Sequence, residues 1–420
     1  MDPSDQFSGG TMPRTLNRRA LLAAAASLPV LAGVAGCSGG STAAGGSQQL
    51  VWSTFGVGTG TYNDLAAVAN TLTQKTGRQI RLMTSDTGIG RLAPLINGTA
   101  QYSRTSDEYY YAFEGNDEFA AERWGPQRLR LVWSPPGNYG LLVRKDSGIR
   151  SVSELRGKKV PKLIGISSAA KKIEAILNYG GLTSEDVSMV DIAYSAQIEA
   201  LKTGKIDTLY QNVVGANVSE LASQYPIEWL DMGGSDPSKY ATWEDLAPTT
   251  KPGKFSEGAG LEKGQTVTNM QYTIPLVTLA DRPSDEVSRL VQDMDENFEY
   301  YKNTTPDAHR FAANEIQLTP LVIPFHDAMV QFLIDKKRWN ADLQSRQTAL
   351  VERERLMLDA WPDFWSNQTD KNPRRKLGWT GRRPTCPSSL EFLAHFLVNN
   401  RLPLPLEGRH EVSAEIFCPP

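Results

Sequence analysis

Apolar positions change their period repeatedly along the first half of the chain. Leu50, Val51 and Trp52 form a short β-prone run, and Leu65, Val68, Ala69 and Leu72 follow at helical spacing. The next alternation predicts a strand over 79–84. Asp86 or Thr87 then caps a short helix carrying Leu92, Leu95 and Ile96, stopped by Gly98. Ser106 opens a helix over 107–114 that ends at Gly115, and strands are expected at 129–133 and 140–144. A strand at 159–166 leads to a helix with Ile173, Ile176 and Leu177, capped by Ser167 or Ser168 and closed by Gly180-Gly181. Strands at 187–194, 206–213 and 227–230 alternate with helices at 196–202 and 218–223. Such alternation predicts parallel sheets with helices on their faces, and ligands beyond the carboxyl ends of the strands. The pattern fades over 233–266, either a surface excursion or a connection between two lobes. It returns as a strand over 267–279 and helices over 286–298, 328–335 and 343–361.

The loop Gly56-Val57-Gly58-Thr59-Gly60-Thr61-Tyr62 lies between the first strand and the first helix. Its glycines leave backbone N–H groups uncovered, and a helix N-terminus attracts anions. Thr61 is placed to be the N-cap, with Asp64 in the first turn where a negative charge suits the dipole. A plain tight connection explains the same pattern equally well. A dinucleotide fingerprint requires glycine at 61, and the Gly-Lys-Ser/Thr of a phosphate loop is missing.

Composition narrows the classes. The 420 residues carry a net charge of −3, too small and dispersed for a nucleic-acid partner, with 40% apolar content for a core. Three Cys and four His, without Cys-x-x-Cys or His-Glu-x-x-His, predict neither metal nor cofactor. Arg18-Arg19 precede an uncharged apolar stretch over 20–36, which reads as an export signal over 1–36 of twin-arginine or ordinary secretory type. Val34-Ala35-Gly36-Cys37 resembles a bacterial lipobox, with Cys37 as the lipidated residue and 37–48 as a flexible tether to the membrane. Met12 is a candidate start.

Several motifs then align. Gly58-Thr59-Gly60-Thr61-Tyr62, Thr87-Gly88-Ile89-Gly90, Thr105-Ser106-Asp107 and Tyr110-Tyr111-Ala112-Phe113-Glu114-Gly115 resemble segments of the TAXI family of TRAP-transporter solute-binding proteins. The run from Asp146 to Val160, Leu201-Lys202-Thr203-Gly204-Lys205-Ile206-Asp207 and Pro324-Phe325-His326-Asp327-Ala328 are similar to that family too. The resemblance implies an α/β fold of two lobes, the type II-like periplasmic-binding-protein fold, with its ligand in the cleft between them. It implies a monomeric receptor outside the cytoplasmic membrane, closing over a small anionic solute such as a glutamate-like acid or dicarboxylate. That solute is passed to a TRAP-type permease. The expected divisions are 49–145 and 251–366 for one lobe, 146–250 for the other and 367–420 outside the resemblance. The expected ligand contacts are Gly60, Thr61, Tyr62, Thr87, Gly88, Ser106, Asp107, Tyr139, Ser167, Ser168 and Asn212, with Arg91 or Arg104 as counter-charge. The family's acidic residue after Gly98 is Gln101 here, and its Gly-rich second-lobe loop is reduced to Gly165-Ile166-Ser167-Ser168-Ala169.

Two alternatives stand beside this reading. One is a receptor for an ABC importer with a sulfonate as solute. The other is an exported serine hydrolase, because Gly165-x-Ser167-x-Ala169 approaches a nucleophile elbow with His309 or His326 as base. The basic tail holds Cys386 and Cys418, which an oxidising compartment permits to pair.

Overall fold

The computed structural model describes residues 49–366 apart from Ser235. The export signal, Cys37, the tether and the 367–420 extension with Cys386 and Cys418 lie outside the described residues.

The first described element is β1 (Leu50–Thr54), every residue of which is buried. Helix α1 (Gly60–Thr76) packs Leu65, Val68 and Leu72 inward. Strand β2 (Ile80–Thr84), helix α2 (Gly88–Ile96), β3 (Tyr102–Arg104), α3 (Glu108–Glu114) and β4 (Leu129–Trp133) follow. Thr87 caps α2 through Gly90 N, as its position predicts. Gly115 stops α3 at φ +63°, a conformation that favours glycine. The chain then leaves this sheet.

Strand β5 (Pro136–Arg144) is the centre of a second sheet. Next come β6 (Lys159–Leu163), α4 (Ser167–Tyr179), β7 (Ser188–Ile192), α5 (Gln197–Lys202), β8 (Thr208–Asn212), α6 (Ala216–Gln224) and β9 (Ile227–Trp229). The stretch of weak pattern forms α7 (Tyr240–Leu246) and β10 (Thr250–Phe255), and β10 pairs antiparallel with β11 (Val267–Thr273). It therefore belongs to the second lobe. The single strand expected over 267–279 is two strands, because Pro275 breaks the run. Strand β12 (Leu276–Leu279) returns to the first sheet, followed by α8 (Ser284–Glu296), α9 (Phe298–Tyr301), α10 (Asp327–Asp335) and α11 (Ala341–Ser366).

The first sheet has the order β2-β1-β3-β12-β4, parallel except for the returning β12. The second, β10-β11-β5-β8 with β9 beside β5, is antiparallel, and β6 and β7 form a separate parallel pair. The expectation of parallel sheets thus holds for most of one lobe and fails in the other, where the crossing strands β5 and β11 run antiparallel. Each sheet builds its own core. Trp52, Leu72, Trp133 and Leu290 fill one, and Leu142, Ile176, Leu209 and Trp229 the other. The fold is α/β and two-lobed. Its crossings fall near residues 134–136 and 273–276, earlier and later than the divisions at 145/146 and 250/251 read from the sequence. Thr273 Oγ1 donates to Pro135 O at 2.7 Å and ties the two crossing segments together.

Candidate functional site

The cleft is built from the carboxyl ends of β1–β3 on one side and from α4 with the β11-β5-β8 face on the other. Strand register decides what lines the second side. Tyr139 on β5 lies opposite Asn212 on β8 and Met270 on β11. Tyr210 and Tyr272 are each two residues from those partners, so both are diagonal neighbours of Tyr139 on the same face. The rings meet accordingly: Tyr139 stacks on Tyr210 with centroids 5.7 Å apart and meets Tyr272 at 4.6 Å. Phe55, at the end of β1, reaches across from the first lobe and joins the core of the second.

Between the lobes stands a buried ion pair. Lys172 of α4 donates from Nζ to Asp107 Oδ1 at 2.9 Å and to Ser106 Oγ at 2.8 Å, and both charged side chains are 1% exposed. The ammonium also lies 4.2 Å from the centre of the Tyr272 ring. Burial pushes the Asp107 carboxyl above its usual range, and Lys172 opposes that only in part. Beside it, Glu108 pairs with Arg91 at 3.2 Å and accepts from Thr105 Oγ1 and Ser168 Oγ. Burial raises the Glu108 carboxyl too, but Arg91 and then Lys172 outweigh it and hold the group low. The small cavity at this point measures about 10 Å³ and is lined by Phe55, Ser106, Tyr139, Lys172, Tyr210 and Tyr272 among others. That is room for one water. The Tyr210 hydroxyl, on a residue 1% exposed, finds no hydrogen-bond partner among the described residues.

Further contacts hold the lobes together. Gly88 N donates to Gly165 O at 3.2 Å. Lys171 pairs with Asp117 at 2.7 Å, and Asp117 has φ +51°, a strained setting for a residue with a side chain. Gly60 and Gly215 meet at the cleft, where a Cβ on Gly60 would stand 3.2 Å from Gly215 Cα. A second polar cluster joins Asn212 Nδ2 to Asp307 Oδ2 at 2.6 Å, with Arg104 donating to Thr61 O at 2.8 Å and facing Asp64 at 3.5 Å.

The structure revises several local expectations. Thr59, not Thr61, is the N-cap of α1, accepting from Tyr62 N at 3.2 Å. Asp64 is not a dipole partner in the first turn but a buried carboxylate. Neither Ser167 nor Ser168 caps α4, whose cap position is Ile166. Instead, carboxylates of the first lobe face that helix end: Ser167 N points to Glu118 Oε1 at 3.5 Å, and Ser168 Oγ bonds Glu108. His326 Nδ1 accepts from Ala328 N as the cap of α10, and His309 pairs with Glu257 on the surface, so neither serves Ser167.

Of the expected contacts, Ser106 and Tyr139 line the cavity, and Asp107 stands behind its wall, bonded to Lys172. Gly88 and Ser168 lie at the lobe–lobe seam, Thr61 and Asn212 in the Asp307 cluster, and Gly60 against Gly215. Thr87 caps α2 near Gly165, Ser167 sits at the seam, and half-buried Tyr62 is outside the cavity lining. Both proposed counter-charges are buried. Arg91 lies over Phe55 at 3.9 Å with its guanidinium against Glu108, and Arg104 is engaged by Asp64. Lys172, Tyr210 and Tyr272 were not expected. Lys172 had one signal, its position in phase with Ala169, Ile173 and Ile176 on the buried face of α4. Among the described residues, no group of His, Cys, Asp or Glu is placed to hold a metal. No described helix is long and apolar enough to cross a membrane.

In structure the chain is similar to the alkanesulfonate-binding protein SsuA from Xanthomonas axonopodis pv. citri bound to MOPS. The match has 16% identity over 72% of this chain and 94% of that one, with a TM-score of 0.38. It is similar to the periplasmic aliphatic sulphonate binding protein SsuA from Escherichia coli at 16% identity, over 74% and 88% of the chains, with a TM-score of 0.41. The GluR0 ligand-binding core from Nostoc punctiforme in complex with L-glutamate matches at 12% identity over 61% and 99%, with a TM-score of 0.38. The model of the NMT1-like family matches residues 53–336, more than half of the sequence, and the chain belongs to that family.

Proposed function

We propose that this protein is an extracytoplasmic solute receptor of TAXI type. It captures a small organic acid between its lobes and delivers it to a TRAP-type secondary transporter. The observation that carries the reading is the Lys172 ammonium, held 2.8 Å from Ser106 Oγ across the seam, at a cavity that only the two lobes together enclose. Rotation about the Pro135–Thr273 hinge exposes that ammonium, and closure buries it again over a bound acid. Lipidation at Cys37 tethers the body to the membrane in this proposal. A receptor for an ABC importer with a sulfonate as solute uses the same cleft, and reconstitution with either class of permease separates the two.

The test is thermal unfolding with panels of carboxylates and sulfonates. A true solute at a hundred times its Kd adds about 2.7 kcal/mol of stability. Ser106→Ala, which removes an acceptor that positions the ammonium, is expected to weaken binding about tenfold or more. Absence of stabilisation by every acid sinks the receptor reading. Ester turnover lost in Ser167→Ala shows a hydrolase instead.

A further inference from the structure

We propose, resting on the receptor reading above, that the solute is a monoanionic acid with a flat, π-rich body. Its acid group lies on Lys172 and the Tyr210 hydroxyl, and its body lies against the tyrosine rings.

The cavity wall carries one cation. Lys172 has three N–H donors, of which Ser106 and Asp107 take two, so one remains for an acid oxygen. Tyr210 Oη, buried and without a partner among the described residues, is a second donor on the same wall. Among the described residues, no other cation lines the cavity. Arg91 lies behind Phe55, against Glu108 and Ser85 O, and Arg104 is engaged by Asp64 and Thr61 O. The rest of the wall is Phe55, Tyr139, Tyr194, Tyr210 and Tyr272 with aliphatic neighbours. A dicarboxylate placed here leaves its second charge against aromatic rings, without a counter-ion. An amino acid brings its ammonium beside that of Lys172, where like charges repel. A planar ring, in contrast, finds π faces already set by strand register at 4.6 and 5.7 Å from one another. At about 10 Å³ the closed cavity admits such a body only as the hinge opens and the lobes reclose on it.

Calorimetry on the full chain tests this with benzoate, benzenesulfonate, cyclohexanecarboxylate, succinate and glutamate. The expected result is that benzoate or benzenesulfonate binds at least tenfold more tightly than the other three, and the arm that wins identifies the acid group. Tyr210→Phe removes only a hydroxyl without a protein partner. It should weaken the aromatic acid roughly tenfold at unchanged Tm. Asp107→Asn, which removes the competing carboxylate, should tighten binding, and Lys172→Met should abolish it. Tighter binding of succinate or glutamate overturns the proposed class and leaves the receptor reading intact. Preference for the cyclohexane acid overturns the π-rich body. Full affinity in Tyr210→Phe overturns the placement of the acid. If none of the five acids binds and no other acid stabilises the fold, the receptor reading falls together with this one.

Discussion

Asp64 offers a quantitative test of the electrostatics beneath the cleft. It is the fifth residue of α1 and only 1% exposed. Thr305 Oγ1 donates to its Oδ1 at 2.6 Å, and Arg104 Nη1 lies 3.5 Å from its Oδ2. Burial pushes its pKa from 3.8 up to about 6; Arg104 pulls it down only in part, and the neighbouring Asp307 charge adds to the rise. Asp307 is itself raised by burial, against Arg310, Asn212 and Arg104, so the two carboxyls titrate as a pair. The sign follows from proton counting. Below pH 3.8 both folded and unfolded chains hold the Asp64 proton; between 3.8 and about 6 only the folded chain does. Stability therefore falls as pH rises through this window, and above it the cost of the buried charge is fully present. A rise of about two pH units is worth about 3 kcal/mol. The measurement is urea unfolding of wild type and Asp64→Asn at closely spaced pH values between 3.5 and 7.5. The stability of Asp64→Asn relative to wild type should climb by about 3 kcal/mol across that range. Parallel profiles, or an Asp64 carboxyl resonance that titrates near 4, would refute the argument.

Two further outcomes are expected. In Gly60→Ala the new methyl stands 3.2 Å from Gly215 Cα across the cleft. Overpacking of this kind costs roughly 1–3 kcal/mol, so solute affinity should fall about tenfold with Tm nearly unchanged, and calorimetry beside thermal unfolding checks both. Under the proposed anchor, Cys37→Ser should move the protein from the membrane fraction to the soluble fraction, and an unchanged fractionation rules out the anchor.

The elements that the sequence made legible are those whose cause is local. Leu129–Trp133 is a run of β-prone residues bounded by polar ones, and the structure gives a strand with those bounds. Gly115 ends α3 because a left-handed residue is needed there, and that need is visible in one letter. Strand β10 shows the contrary case. Thr250-Lys251-Pro252-Gly253-Lys254-Phe255 has no alternation of apolar side chains and contains both residues that strands avoid. It is a strand because it sits at the edge of its sheet beside β11, where Trp243 Nε1 also donates to Thr250 Oγ1. Pro252 is tolerated on such an edge. The antiparallel order of the second sheet was equally hidden, since it follows from β5 and β11 crossing between lobes and not from any local period.

The same distinction governs the site. The glycine loop and the capping threonines announce themselves within seven residues, and a short signal of that kind locates a helix start to within two positions, Thr59 in place of Thr61. The helical phase of Lys172 marks it as buried but not as part of a site, because its counter-ion lies 65 residues away on another lobe. Tyr210 and Tyr272 look like ordinary core residues of strands, and most tyrosines in strands are that. Only the register Tyr139↔Asn212 and Met270↔Tyr139 places their rings on one face. A slip of one residue in either pairing turns that strand's tyrosine to the opposite face. The chemistry of the cleft is thus a property of strand pairing. Substitutions that shift the register of β8 or β11 should alter solute choice without touching any residue of the cavity wall.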